Sequence, residues 1–186
     1  VRASLHHEPD GLVDTARHYL GDLIYGANDG IITTFAVVAG VTGGSLSSRT
    51  VVIVGLANLL ADGLSMGVGN YLSIRSSEGV RAAQNLPEVE ASPARHGCAT
   101  MVAFVAAGVV PLLPYLWGSP VSATFATASV LTLVALFMVG AMRATVTPDR
   151  WWTAGLEMLL LGLGVAAVAY GVGASVRMFT GAAELA

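Results

Sequence analysis

Lysine is absent from this chain. Its basic residues are all arginines, at positions 2, 17, 49, 75, 81, 95, 143, 150 and 177, and the formal net charge is only -3. With no basic cluster there is no face to recruit a polyanion, so nucleic acid is not an expected partner. Charge of either sign is scarce, at 11% of residues against 54% hydrophobic, with a mean hydropathy of +0.70. That balance excludes an ordinary soluble domain, in which about a quarter of residues are charged. A single cysteine, Cys98, rules out an internal disulfide framework; at the start of an apolar run it is expected to pack as a small hydrophobe. The stretch Val1 to Asp22 is polar, carries His6, His7, Glu8, Asp10, Asp14 and Arg17, and does not read as a cleavable signal. The first apolar span is therefore expected to do the targeting.

What is there in abundance is apolar length. Crossing the hydrocarbon takes roughly 20 mostly apolar residues, and five stretches supply them: about Leu23 to Val41, Val51 to Ile74, Gly97 to Trp117, Val121 to Met142 and Thr153 to Val176. The expected fold is an all-α integral membrane protein of five transmembrane helices, its termini on opposite sides. Short connections at Gly43 to Thr50 and Leu116 to Pro120 predict tight helical hairpins, which leaves Ser76 to His96 as the one sizeable loop. Arginines collect on the cytoplasmic side of membrane proteins. With the N-terminus inside, Arg49 and Arg177 alone lie outside, so the N-terminus and the Ser76 to His96 loop are expected in the cytoplasm. Between His7 and Leu20, the apolar residues Leu12, Val13, Ala16, Tyr19 and Leu20 recur at helical spacing, as in a short amphipathic helix at that surface; a merely solvated leader is the alternative.

Three ionisable residues interrupt the spans: Asp29 in the first, Asp62 in the second and Glu157 near the start of the fifth. An aspartate at the centre of a span costs about 2.5 to 3.5 kcal/mol on an insertion scale, so each needs a reason. On the second helix Asn58, Asp62, Met66 and Asn70 recur every four residues and form one stripe. On the first, Asp22, Gly26, Asp29, Thr33, Ala36 and Gly40 follow a three-four spacing. From the helical rise of about 1.5 Å per residue, Asp29 and Met66 are expected at similar depth, with Asp62 roughly 6 Å further across. Oxygen ligands alone would suit Mg2+ or Ca2+, whereas a thioether beside carboxylates favours a softer first-row divalent ion such as Fe2+. Protons can replace a departing ion on the same carboxylates. Five helices are few to enclose a route, so a two-fold homodimer is expected, with Gly26, Gly30, Ala36 and Gly40 and the Gly63/Gly67 pair as small residues able to permit close approach.

The pair YGANDGIITTFAVVAGVTG and LANLLADGLSMGVGNYLSIRS resembles the first two helices of the vacuolar iron transporter family, and GLEMLLLGLGVAAVAYGVG is similar to its final span. The resemblance implies a homodimer that moves Fe2+, and often Mn2+, out of the cytosol in exchange for protons, with no permanently bound cofactor. By motif position it makes Asp29 and Met66 the metal-binding pair, with Asp22 near the entrance and Asp62 in the shared A-D-G stretch. Asn58, Asn70 and Glu157 complete the candidate ligands. For Glu157 the competing role is an ion pair with Arg150 or Arg143. Asn70 stands where relatives carry an acid. Long-loop relatives insert a glutamate-rich helical domain after the second span; here SSEGVRAAQNLPEVEASPARHG replaces it, as in short nodulin-like and bacterial members. Glu78, Glu88, Glu90 and His96 are weak candidates for metal capture in what reads as a solvated loop broken by Pro87 and Pro93. His6 and His7 are a similar weak pair.

Two other functions fit parts of the pattern. Paired aspartates on neighbouring membrane helices also serve intramembrane aspartyl proteases, but the G-x-G-D and P-A-L signatures of those enzymes are missing. A passive cation channel would use the same acids without proton exchange. The lack of lysine and the wealth of Ala, Val and Gly suggest a GC-rich bacterial source, hence a bacterial inner membrane.

Overall fold

The computed structural model describes residues 4–5, 9–117, 121–145 and 147–183; His6, His7 and the Gly118 to Pro120 part of the second predicted hairpin lie outside them. The described chain is all-α: α1 (Gly11–His18), α2 (Leu20–Gly43), α3 (Ser48–Ala83), α4 (Pro93–Gly108), a 3-10 segment (Val110–Trp117), α5 (Val121–Arg143) and α6 (Trp151–Ala183). Four of these are long and apolar enough to cross a membrane, and α4 with the 3-10 segment makes a fifth if the bent pair is one span.

The third span is thus not the continuous helix expected over Gly97 to Trp117. It bends by 41° between Gly108 and Val110. Pro111 has no N–H to bond back into the helix and disfavours the α conformation at Val110, and Pro114 prevents recovery. The predicted loop Ser76 to His96 is also shorter than its hydropathy implies. Nothing breaks the helix where the apolar run ends at Ile74, so α3 continues to Ala83, for 36 residues or about 54 Å. It stops in a Schellman motif: Asn85 takes the left-handed conformation at φ 55°, with Leu86 N–H bonded to Arg81 O and Asn85 N–H to Ala82 O. Pro93 opens α4 at its first turn instead of breaking a helix, which places His96 inside α4.

The α2–α3 hairpin is as tight as predicted. Ser45 takes φ 57°, Leu46 N–H reaches Val41 O, and the Ser47 hydroxyl caps α3 by accepting from Thr50 N–H at 3.2 Å. Arg177 near the end of α6 bonds the Ser45 hydroxyl, so α6 ends beside this hairpin, away from α1. Helical hydrogen bonds run from α1 into α2 through Tyr19. Val13 and Ala16 of α1 are exposed.

Packing is set by glycine. A Cβ on Gly30 would stand 2.3 Å from Phe104 O, and one on Gly108 2.7 Å from Gly30 O, so α2 and α4 touch backbone to backbone. Gly67 and Gly97 join α3 to α4 in the same way, and Gly40, Gly43 and Gly173 join α2 to α6. The small residues expected at a dimer seam are therefore largely spent inside one chain: Gly26, Gly30, Gly63 and Gly67 meet α4, and Gly40 meets α6. Phe35, Val38, Val51, Leu59, Phe104 and Leu112 fill the core between these seams. Cys98 is exposed rather than packed; it lines an outward apolar groove between α3 and α4 with Leu64, Val68 and Met101.

Candidate functional site

Two polar regions lie along the α2–α3 contact. The first is at the α1 end. Asp22, in the first turn of α2, accepts from Asn70 Nδ2 at 2.7 Å through Oδ1 and meets His96 Nδ1 at 2.5 Å through Oδ2. The second hydrogen of the Asn70 amide goes to Thr100 Oγ1 at 2.7 Å, and Thr100 in turn donates to His96 O at 3.0 Å. An amide suits position 70 because it must donate twice, once toward a carboxylate; a second acid there would face Asp22 as a like charge. α2, α3 and α4 are thereby tied together by hydrogen bonds between partly buried polar side chains.

The second region lies deeper. The Asp22–Asn70 bond fixes the register of the antiparallel pair: about 1.5 Å of rise per residue puts Asp29 roughly 10 Å beyond it along α2, Met66 roughly 6 Å and Asp62 roughly 12 Å along α3. Asp29 thus falls between Met66 and Asp62 in height. All three are partly buried, and the two carboxylates are near enough to repel one another. Asp62 accepts from Asn58 Nδ2 at 2.7 Å. Met66 packs against the core cluster. For Asp29 no hydrogen-bond or ion-pair partner of the carboxylate is found among the described residues; only its backbone carbonyl is used, by Thr33. The neighbouring Asn28 has a buried Oδ1 without a partner.

Glu157 stands apart from both. It bonds Arg143 Nη2 at 2.5 Å, and its side chain is 53% exposed. Of the loop acids, Glu78 accepts from Val89 N–H and Glu90 N–H, shaping the turn. Glu90 meets His96 and His18. His18 and Thr100 carried no signal in the sequence. One is a lone histidine beside an aromatic, the other a threonine in an apolar helix, and only the packing of α1 and α4 brings them to Asp22 and Asn70.

A match to the VIT family covers residues 20–86 and 80–174, its two segments meeting at the α3–α4 connection. Vacuolar iron transporter 1 of Oryza sativa subsp. japonica is 26% identical over 231 aligned positions, which span 94% of this chain and 91% of the rice protein. The vacuolar iron transporter of Toxoplasma gondii is 26% identical over 235 positions, 91% of this chain and 78% of its own. Vacuolar iron transporter homolog 5 of rice is 34% identical over 105 positions, about half of each chain. The first two alignments exceed the 186 residues available here, so those relatives carry segments that this chain lacks.

Proposed function

This chain belongs to the VIT family, and on that premise we propose that it carries divalent transition-metal ions, Fe2+ foremost and Mn2+ beside it, out of the cytosol in exchange for protons. The relatives are named as transporters, not enzymes. The observation that carries the reading is Asp29: a carboxylate within a membrane-length helix, without a hydrogen-bond or ion-pair partner among the described residues, close to a second carboxylate and flanked in height by a thioether. An uncompensated charge in a span is too costly to keep. A divalent ion bound by Asp29 and Asp62 removes that cost, and two protons on the same carboxylates remove it equally. Loading the metal from one side and protons from the other gives exchange, with the site neutral in either state. The Met66 thioether favours a transition ion over Mg2+.

The two ends of the molecule support a direction. Arg17, Arg75, Arg81, Arg95, Arg143 and Arg150 lie at or near the α1 end, while Arg49 and Arg177 lie at the other, which argues for α1 in the cytoplasm. The composition argues for a bacterial inner membrane. A homodimer completes the proposal. The stripe Asn58, Asp62 and Met66 is only partly buried in one chain, beside exposed Leu56, Leu60 and Leu64, and a second copy would shield its acid from lipid.

The experiment is Fe2+ uptake into proteoliposomes with an imposed pH gradient. Asp29→Asn and Met66→Ala are expected to abolish uptake while helicity and elution volume stay unchanged. Undiminished uptake in both variants would remove the site. Flux indifferent to the pH gradient would make the protein a channel.

A further inference from the structure

Outside the transmembrane pair, three ligand-type side chains converge at the α1 end: His18 from the end of α1, Glu90 from the α3–α4 connection and His96 from the first turns of α4. One donor atom from each lies within 4.8 Å of the others. Glu90 Oε2 is the hub, 3.0 Å from His96 Nε2 and 3.4 Å from His18 Nε2. Its other oxygen is fixed by Ser92 N–H at 2.8 Å.

His96 decides how these contacts read. It is only 8% exposed, and Asp22 engages its Nδ1 at 2.5 Å. In the neutral ring, a proton on Nδ1 donated to that carboxylate leaves the lone pair on Nε2. The Nε2 atom is buried and makes no hydrogen bond among the described residues, although a Glu90 carboxylate oxygen stands 3.0 Å away. A neutral ring would set a nitrogen lone pair against a carboxylate oxygen, and either a second ring proton or a bound metal cation relieves that clash. Carboxylate behind histidine, histidine toward the ion, is also how proteins orient imidazole ligands. Tyr19 packs on the His96 ring with centroids 4.7 Å apart, which restricts the ring further.

We infer that His18, Glu90 and His96 form a second site for a divalent transition-metal ion at the α1 end, with Asp22 as the residue that positions His96. Two imidazole nitrogens and one carboxylate suit first-row divalent ions and not Mg2+ or Ca2+. Three protein ligands leave coordination positions for water, so the ion exchanges readily, as a loading station requires. Asp22 touches both this site and Asn70 of α3, roughly 10 Å before Asp29. The site therefore lies at the α1 end, ahead of the membrane pair along α2. Its role as a loading station rests on the transport reading; its capacity to bind metal does not.

The test is Co2+ binding to the full chain in nanodiscs, in an Asp29→Asn/Met66→Ala background that silences the membrane pair. One Co2+ per chain is expected, with two imidazole nitrogen couplings in pulsed electron paramagnetic resonance. His18→Ala and Glu90→Gln should each weaken binding at least tenfold. His18 and Glu90 are partly buried, so helicity and elution volume of each variant are compared with the parent. Asp22→Ala should lose the His96 coupling, and Asp22→Asn, which keeps an acceptor for Nδ1, should retain it. No bound Co2+ in that background, or an affinity unchanged by both His18→Ala and Glu90→Gln, would overturn the inference. Absent Co2+ binding alongside uptake that still requires Asp29 would sink this site and leave transport standing; Co2+ bound as expected alongside uptake indifferent to Asp29→Asn would do the reverse.

Discussion

Replacing Gly30 by alanine adds one methyl group where α2 and α4 cross. Its Cβ would stand 2.3 Å from Phe104 O and 2.9 Å from Phe104 C. Those are backbone atoms of a packed helix, so no rotamer change relieves the contact. Restoring ordinary van der Waals separation requires the helices to part by about 1 Å. Phe104 is fully buried, and the same shift would loosen the core cluster around it. Overpacking of this kind costs about 1–3 kcal/mol, and the rigid neighbour argues for the upper part of that range. Gly164 on α6 is the control, because nothing lies within 4 Å of a Cβ built there; alanine at that position gains helix propensity of about 0.5–1 kcal/mol. Reversible unfolding in mixed micelles should therefore separate the two variants by at least about 2 kcal/mol, Gly30→Ala below the parent and Gly164→Ala at or above it. Equal stability of Gly30→Ala and the parent would refute the direct backbone contact of α2 with α4, and with it the packing that places Asp29.

Thr100→Val keeps shape but removes the acceptor for one Asn70 hydrogen and the donor to His96 O. Leaving that amide hydrogen buried and unpaired should cost about 1–3 kcal/mol in the same unfolding assay, and no change would mean the Asp22–Asn70–Thr100 chain is not structural. Glu157→Gln breaks an ion pair whose acid is more than half exposed, so stability should fall by less than about 1 kcal/mol; Fe2+ uptake by proteoliposomes should persist, and its loss would return Glu157 to the transport route.

The helices were legible in sequence wherever apolar length and breaker residues agreed. The Gly43 to Thr50 hairpin is the clearest case, since Gly, Ser and a capping hydroxyl all point to one turn. Where the two signals parted, hydropathy misled. The Ser76 to Ala83 segment is polar yet helical, because leaving the membrane does not end a helix that meets no proline or glycine turn. Val109 to Trp117 is apolar yet bent, because Pro111 and Pro114 outweigh the hydrophobic pattern around them. The Asn58, Asp62, Met66, Asn70 stripe was visible from its four-residue period. Its division into an upper part bonded to other helices and a lower part bonded only within α3 was not, because Asn70 acquires its role from Asp22 and Thr100 on two other helices. Glycine spacing likewise marked close approach without naming the neighbour, and that neighbour is α4 in the same chain.

The glycine seams also explain what spaces the polar slot. α2 and α3 each lock onto α4 through Gly30 with Gly108 and through Gly67 with Gly97, but none of their glycines closes directly on the other helix. The third helix thus acts as a common backing plate, and the clearance between the two acid-bearing walls is inherited from residues that do not line it. A methyl at Gly97, 2.5 Å from Gly67 O, would therefore shift α3 relative to α2 without touching any side chain that lines the slot.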